Sequence, residues 1–256
     1  MTGVAPALEV QHLSFSYKEG RAERPITLYR DFSLSIAAGS IVAVMGPSGS
    51  GKSTFARALI GDFPIDPGVI SWREDFRETY HVSYVDQSFD HTVHPWRRTR
   101  QNIDWTLRKR RWAHAERATR VEALLNAFGL SELAHSFPKQ LSGGERQRLA
   151  VANGLSWRPR CLILDESLNA LDSNTKRSII TALRSLATED GMTVILITHI
   201  LSDTLALADR CILLGKRPVE ILGDFQISLP HPRDENSPEY REAQEPLIEV
   251  LRHGYL

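Results

Sequence analysis

The residues with the clearest chemical pattern run from Gly46 to Thr54, GPSGSGKST. Their spacing, GxxxxGK[ST], falls between an apolar run, Ile41–Met45, and a segment Ser53–Ile60 in which Phe55 and Leu59 share a helical face. Gly46, Gly49 and Gly51 allow backbone conformations closed to other residues. With Pro47, Ser48 and Ser50 they let successive N–H groups turn inward as a nest for phosphate oxygens, at the electropositive start of a helix. Lys52 is then expected to reach the β- and γ-phosphates as a point charge, the Ser53 hydroxyl to ligate Mg2+, and Thr54 to bond near the α-phosphate. A glycine-rich turn can also merely connect two elements. The loop alone does not say which nucleotide it takes, or for what work.

Asp165 and Glu166 follow the apolar run Cys161–Leu164. A strand that delivers carboxylates at its C-terminal end commonly completes a phosphate-loop site. Asp165 is expected to hold the metal through water, and Glu166 to polarise an attacking water as general base. That pairing favours hydrolysis over binding alone, against the plainer reading of an acidic surface turn. Ser142, Gly143 and Gly144 precede Glu145 in LSGGERQR, Leu141–Arg148. Small residues at a helix start let an anion approach closely. Two such helix starts in one chain suggest that two chains share each nucleotide.

Taken together and in order, GPSGSGKST, Gln87, LSGGERQR, CLILDE at 161–166, LNALD at 168–172 and His199 after an apolar run resemble the ABC transporter ATPase family. The resemblance spans roughly residues 8–225. It implies ATP and Mg2+ as ligands and a head-to-tail dimer of this chain. Each ATP would lie between the phosphate loop of one chain and Ser142–Glu145 of the other. By the same resemblance Tyr17 stacks on adenine, Gln87 contacts the metal and senses the membrane partner, Asp172 lies in the loop that crosses the dimer interface, and His199 contacts the γ-phosphate. HPWRRTRQNI at 94–103 and LPHPRDENSPEY at 229–240 resemble the nitrate, sulfonate and taurine importer group. That implies a membrane permease as partner, with a solute-binding protein reached through it, and import of a small anionic or polar solute. An exporter subunit and a soluble ABC ATPase acting on nucleic acid or ribosomes are the alternatives. A phosphate-loop kinase is opposed by LSGGERQR and His199. Four positions depart from the family pattern: Ser167 where proline is usual, Asn153 for arginine, Asn169 for serine, and Ile200 for aspartate. The stretch between Gln87 and Pro95 also runs about two residues long.

The elements that must position these residues follow from periodicity. Residues 8–17 and Leu28–Ile36 read as strands, and 18–27 as an exposed turn. Ile41–Met45, Cys161–Leu164, Thr193–Thr198 and Cys211–Leu214 are continuous apolar runs suited to strands covered on both faces. Short strands are expected within 69–86, and a mostly helical stretch over about 88–157, including Ala115–Phe128 with Gly129 as cap. A helix is also expected over about Asn174–Ala187. The fold is therefore α/β: a phosphate-loop NTPase core with an antiparallel β subdomain and an inserted helical subdomain. The ATPase domain would occupy 1–225 and an irregular tail 226–256, ending in a short helix near Glu245–Arg252.

The composition sets outer limits. In 256 residues, Lys plus Arg and Asp plus Glu both number 31, and neutrality argues against non-specific nucleic-acid binding. No run approaches the roughly 18–20 apolar residues that span a bilayer, and the N-terminus lacks a secretory pattern. A peripheral place at the cytoplasmic face of the membrane is expected. Cys161 and Cys211 read as buried core residues rather than a disulfide or metal pair. Arg97, Arg98, Arg100, Arg108, Lys109, Arg110 and Arg111 form a basic cluster, either a contact for a membrane partner or anionic lipid, or a solvated helix face.

Overall fold

The computed structural model describes residues 5–17, 25–76, 81–89, 92–169 and 171–254. Most of the turn expected at 18–27, and Ala170 of LNALD, lie outside them. The chain forms two compact units, one from Met1–Glu78 with Thr193–Leu256 and one from Thr79–Met192.

In the first unit, β1 (Pro6–Tyr17) lies between β2 (Ile26–Ala37) and β4 (Ile70–Trp72) in an antiparallel sheet. A second layer centres on β3 (Ile41–Met45), which pairs in parallel with β7 (Thr193–Thr198) and β8 (Arg210–Leu214). Every residue of β3 and β7 is buried, as continuous apolar runs require. β9 (Ile221–Gln226) adds antiparallel to β8. Helix α1 (Lys52–Leu59) follows β3, and α6 (Leu201–Leu207) follows β7. In the second unit, β5 (Val82–Val85) and β6 (Cys161–Asp165) pair in parallel. Between them in sequence come α2 (Thr99–Lys109), α3 (His114–Ala127) and α4 (Gly143–Leu155), with α5 (Ser173–Asp190) after β6. Gly129, at φ 58, stands just past α3.

The tail differs from its expectation. Instead of a short helix near 245–252, α7 runs Pro238–Gly254 with Pro246 inside it. An interior proline costs about 3 kcal/mol of helix stability. Tyr240 and Leu247, seven residues apart and so on one face, are buried as α7 packs on β9, which offsets that cost. Arg233 fastens the approach to α7. Its guanidinium donates to the carbonyls of Leu205, Ala208 and Ile227 and lies 3.6 Å from the Asp209 carboxylate. β9 and α6 had no counterpart in the sequence reading. Cys161 and Cys211 are free and buried, and burial raises both thiols, Cys211 to about 12. No described helix is long and apolar enough to cross a membrane.

Candidate functional site

The phosphate loop leaves β3 at Met45 and enters α1 at Lys52. Gly51 is the N-cap, at φ 94, and Gly49 has φ 77. A Cβ on Gly51 would stand 2.8 Å from Leu28 Cδ1, and one on Gly46 would stand 2.9 Å from the Leu214 carbonyl oxygen. One glycine is thus needed for conformation and space, the other for space alone. Lys52 is 4% exposed, and its Nζ donates to the carbonyls of Gly46 and Pro47, each at 2.8 Å. The loop therefore curls around its own lysine. Tyr29 OH donates to the Gly51 carbonyl at 2.8 Å and holds the loop from below; burial raises that phenol strongly.

Gly51, as the N-cap, offers no side chain to the first turn of α1. The Ser50 hydroxyl is buried inside the loop without a hydrogen-bond partner. Buried polar groups are normally satisfied. A glycine N-cap, an orphaned hydroxyl and a buried lysine together suit a phosphate-bearing ligand. Ser48 and Ser53 are exposed, and Pro47 and Thr54 are half-buried.

Two more expected residues lie in this unit. Tyr17 ends β1, half-buried. His199 is exposed directly after the buried β7, where Ile200 N donates to Thr198 Oγ1 at 3.0 Å and shapes the turn. The sequence reading missed Arg217. Its Nε donates to the Gly49 carbonyl at 2.8 Å and its Nη1 to Tyr17 OH at 2.6 Å. Nothing at position 217 in the sequence distinguishes it from any arginine in a turn; only the fold reveals the contact.

The second unit holds the carboxylates. Asp165, 2% exposed, ends β6, and its Oδ2 accepts from Tyr84 OH at 3.0 Å. Glu166 has φ 50, a left-handed conformation that costs a non-glycine residue roughly 1–2 kcal/mol. Ser167, where the family has proline, is fully buried, with its Oγ 2.7 Å from the Val85 carbonyl and 3.1 Å from that of Asp165. A proline could not make those bonds. Asn169 Nδ2 donates to Glu166 Oε2 at 3.3 Å. The departures at 167 and 169 thus both act on the Asp165–Glu166 turn. Gln87 is exposed, two residues past β5. Asp172 caps α5, accepting from Thr175 N at 3.0 Å. Ser142 caps α4: its Oγ accepts from Glu145 N at 3.3 Å, and Glu145 Oε2 accepts from Ser142 N at 2.7 Å. Gly143 and Gly144 open that helix.

Asn153, another departure, joins α4 to the stretch after Gln87. It donates to the Thr92 carbonyl and accepts from Thr106 Oγ1 at 2.7 Å. The basic cluster is largely engaged. Arg97 lies 3.7 Å over the Trp105 ring, Arg110 lies 4.0 Å over Trp157, Arg98 lies over Phe137, and Arg100 pairs with Glu122. Trp96 is 69% exposed beside them.

The profile of the ABC transporter family matches residues 29–169. The chain is 34% identical over 220 residues to the aliphatic sulfonates import ATP-binding protein SsuB 2 of Pseudomonas syringae pv. tomato, covering 83% of this chain and 86% of that protein. It is 34% identical over 237 residues to the methionine import ATP-binding protein MetN of Nocardia farcinica, covering 87% of this chain and 69% of that one. Among solved structures, the dimeric post-hydrolysis state of the ATP-binding cassette MJ0796 with ADP and Pi superimposes with a TM-score of 0.75 at 28% identity, over 87% of this chain and all of that one. With the loop geometry, these likenesses establish that the chain belongs to the ABC transporter family and is one of its ATP-hydrolysing cassettes.

Proposed function

We propose that this chain drives an ABC importer for a small anionic or polar solute, closing as a head-to-tail dimer of identical chains around two ATP molecules. The phosphate loop carries this reading: its lysine is held among its own carbonyls, and the Ser50 hydroxyl is buried inside it without a hydrogen-bond partner. Support for import comes from relatives named for import of sulfonates, methionine and sulfate. The chain would sit on the cytoplasmic face of the membrane against a permease, with a solute-binding protein delivering cargo to that permease. Residues 1–225 would act as the ATPase domain, with the helical stretch 88–157 gripping the permease and 226–256 as its tail.

In this reading Tyr17 stacks on adenine, and Gly46–Thr54 cradle the phosphates while Lys52 draws charge from the β- and γ-oxygens. Ser53, Asp165 and Gln87 offer hard oxygen donors, the set that suits Mg2+. Held there, the ion would supply positive charge against the phosphates. Glu166 takes a proton from a water whose oxygen bonds to the γ-phosphorus as the bridge to the β-phosphate breaks. His199 holds the γ-phosphate. Ser142–Glu145 and Asp172 of the second chain complete the enclosure. ATP then favours the closed dimer because it touches both chains, and its cleavage releases them.

The test is size-exclusion chromatography of Glu166→Gln with and without MgATP. Retained ATP binding, lost turnover and an ATP-dependent shift to a dimer are expected. Wild-type turnover would remove Glu166 as general base, and no shift at saturating ATP would remove ATP-driven dimer closure by the chain alone.

A further inference from the structure

The turn between β8 and β9 follows the phosphate loop residue by residue. At its start, the Leu214 carbonyl oxygen fills the space that a side chain on Gly46 would need. At its middle, Arg217 bonds the Gly49 carbonyl. At its end, Val219 N donates to the Leu28 carbonyl at 2.7 Å, and the side chain of that leucine lies under Gly51. Val219 also bridges in parallel to Tyr29, whose hydroxyl holds the Gly51 carbonyl. The turn is thus braced on the same β2 residues that support the loop.

From this geometry we propose that Arg217 is a positioning residue for the nucleotide, acting through the apex of the phosphate loop and the ring of Tyr17. It rests on the reading above, in which that loop and Tyr17 hold ATP. The planar guanidinium carries five N–H donors in a fixed fork. One reaches Gly49 and one reaches Tyr17, so a single rigid group sets the distance between the base-stacking ring and the phosphate nest. The ring cannot swing without breaking a charge-assisted bond, and such bonds are roughly twice as strong as neutral ones. Because the Arg217 carbon Cζ lies 5.6 Å from the Tyr17 ring centroid, the cation also rests against the aromatic system. Arg217 itself is exposed, at the edge of the loop. Preorganisation of this kind acts on affinity, because ATP no longer bears the cost of ordering Tyr17 against the loop.

The experiment uses the full chain and a fluorescent ATP analogue in an equilibrium titration, alongside steady-state hydrolysis. Arg217→Ala should weaken ATP binding and raise KM about five- to tenfold, with kcat within about twofold of wild type. Arg217→Lys, which keeps the charge but loses the fork, should fall between them. In the double-mutant cycle with Tyr17→Phe, the pair should lose much less than the product of the single losses, because both remove the same bond. Unchanged affinity in Arg217→Ala, losses that multiply, or a loss in kcat alone would overturn the proposal. Lys52→Ala separates the two levels. If it abolishes binding while Arg217→Ala does nothing, the loop assignment stands and the role of Arg217 falls. If Lys52→Ala leaves binding intact, the site reading itself falls.

Discussion

The two glycine-bearing helix starts of this chain are built in opposite ways. At α1 the N-cap is Gly51, in a left-handed conformation and with no side chain to cap the first turn. At α4 the N-cap is Ser142, and it forms a reciprocal box with Glu145. Helix starts leave N–H groups without intrahelical partners, and each must be met by a side chain, water or a ligand. The signature helix meets part of that demand from its own sequence. The phosphate-loop helix has no capping side chain at its N-cap, and the Ser50 hydroxyl beside it is buried without a partner. The α4 start is therefore partly closed by its own side chains, whereas the α1 start begins at a glycine that has none. A Gly-rich stretch before a helix is thus not one motif but two, separated by which groups the sequence leaves open.

Adding one methyl group to each start breaks this comparison most sharply. Gly51→Ala must place its Cβ 2.8 Å from Leu28 at φ 94, so both strain and overlap resist it. Overpacking and left-handed strain together cost about 2–4 kcal/mol. The thermal midpoint should fall by several degrees, and calorimetric ATP affinity should drop by about a hundredfold or more. Near-native affinity would mean that the loop tolerates another geometry. Gly143→Ala comes next. No heavy atom lies within 4 Å of the new Cβ, and its φ is outside the left-handed region. The helix should hold or gain up to about 1 kcal/mol, since alanine is the better helix former. ATP affinity of the single chain should stay the same, yet hydrolysis should fall roughly ten- to a hundredfold, because a small misplacement at the closed site is costly. Full hydrolysis would leave the loop as the sole anion site.

The sequence disclosed the first of these starts more fully than the second. GPSGSGKST after a β-branched run names its strand, loop and helix, because Gly49 and Gly51 meet local backbone demands at positive φ. The strand that ends at Asp165 was legible from the apolar run Cys161–Leu164 before it. The Ser142 box was not anticipated, although Ser142 and Glu145 stand at the right spacing for it; the glycines between them had drawn the reading toward an open anion site. Arg217 was invisible for a different reason. Its partners Gly49 and Tyr17 are far away in sequence, and β9, which closes its turn, alternates too weakly to be seen. α7 was read too short because Pro230, Pro232, Pro238 and the many charges mark an irregular segment, whereas packing of Tyr240 and Leu247 carries the helix from Pro238. Local chemistry was readable, whereas contacts made by returning strands were not.

The smallest effect, and the one most specific to the comparison, is acidic. The Glu145 carboxyl is held below its ordinary range, first by the backbone N–H of Ser142, then by the Ser142 side chain and the nearby Arg148. A carboxylate depressed in the folded state stabilises fully above its unfolded pKa and loses that contribution as pH falls through the folded value. The α4 start should therefore weaken at acid pH, below the usual carboxylate range. The α1 first turn carries no acidic residue and has no such response. Because the Glu145 side chain is 28% exposed, solvent screening limits the contribution to less than about 1 kcal/mol. Glu145→Gln keeps an acceptor for Ser142 N but removes the titration. The difference in thermal midpoint between wild type and Glu145→Gln should be small and positive at neutral pH and shrink to zero as the carboxylate protonates. A difference that is flat across that range would mean that the box is held by shape rather than charge, and the two helix starts would then differ only in which of their N–H groups are occupied.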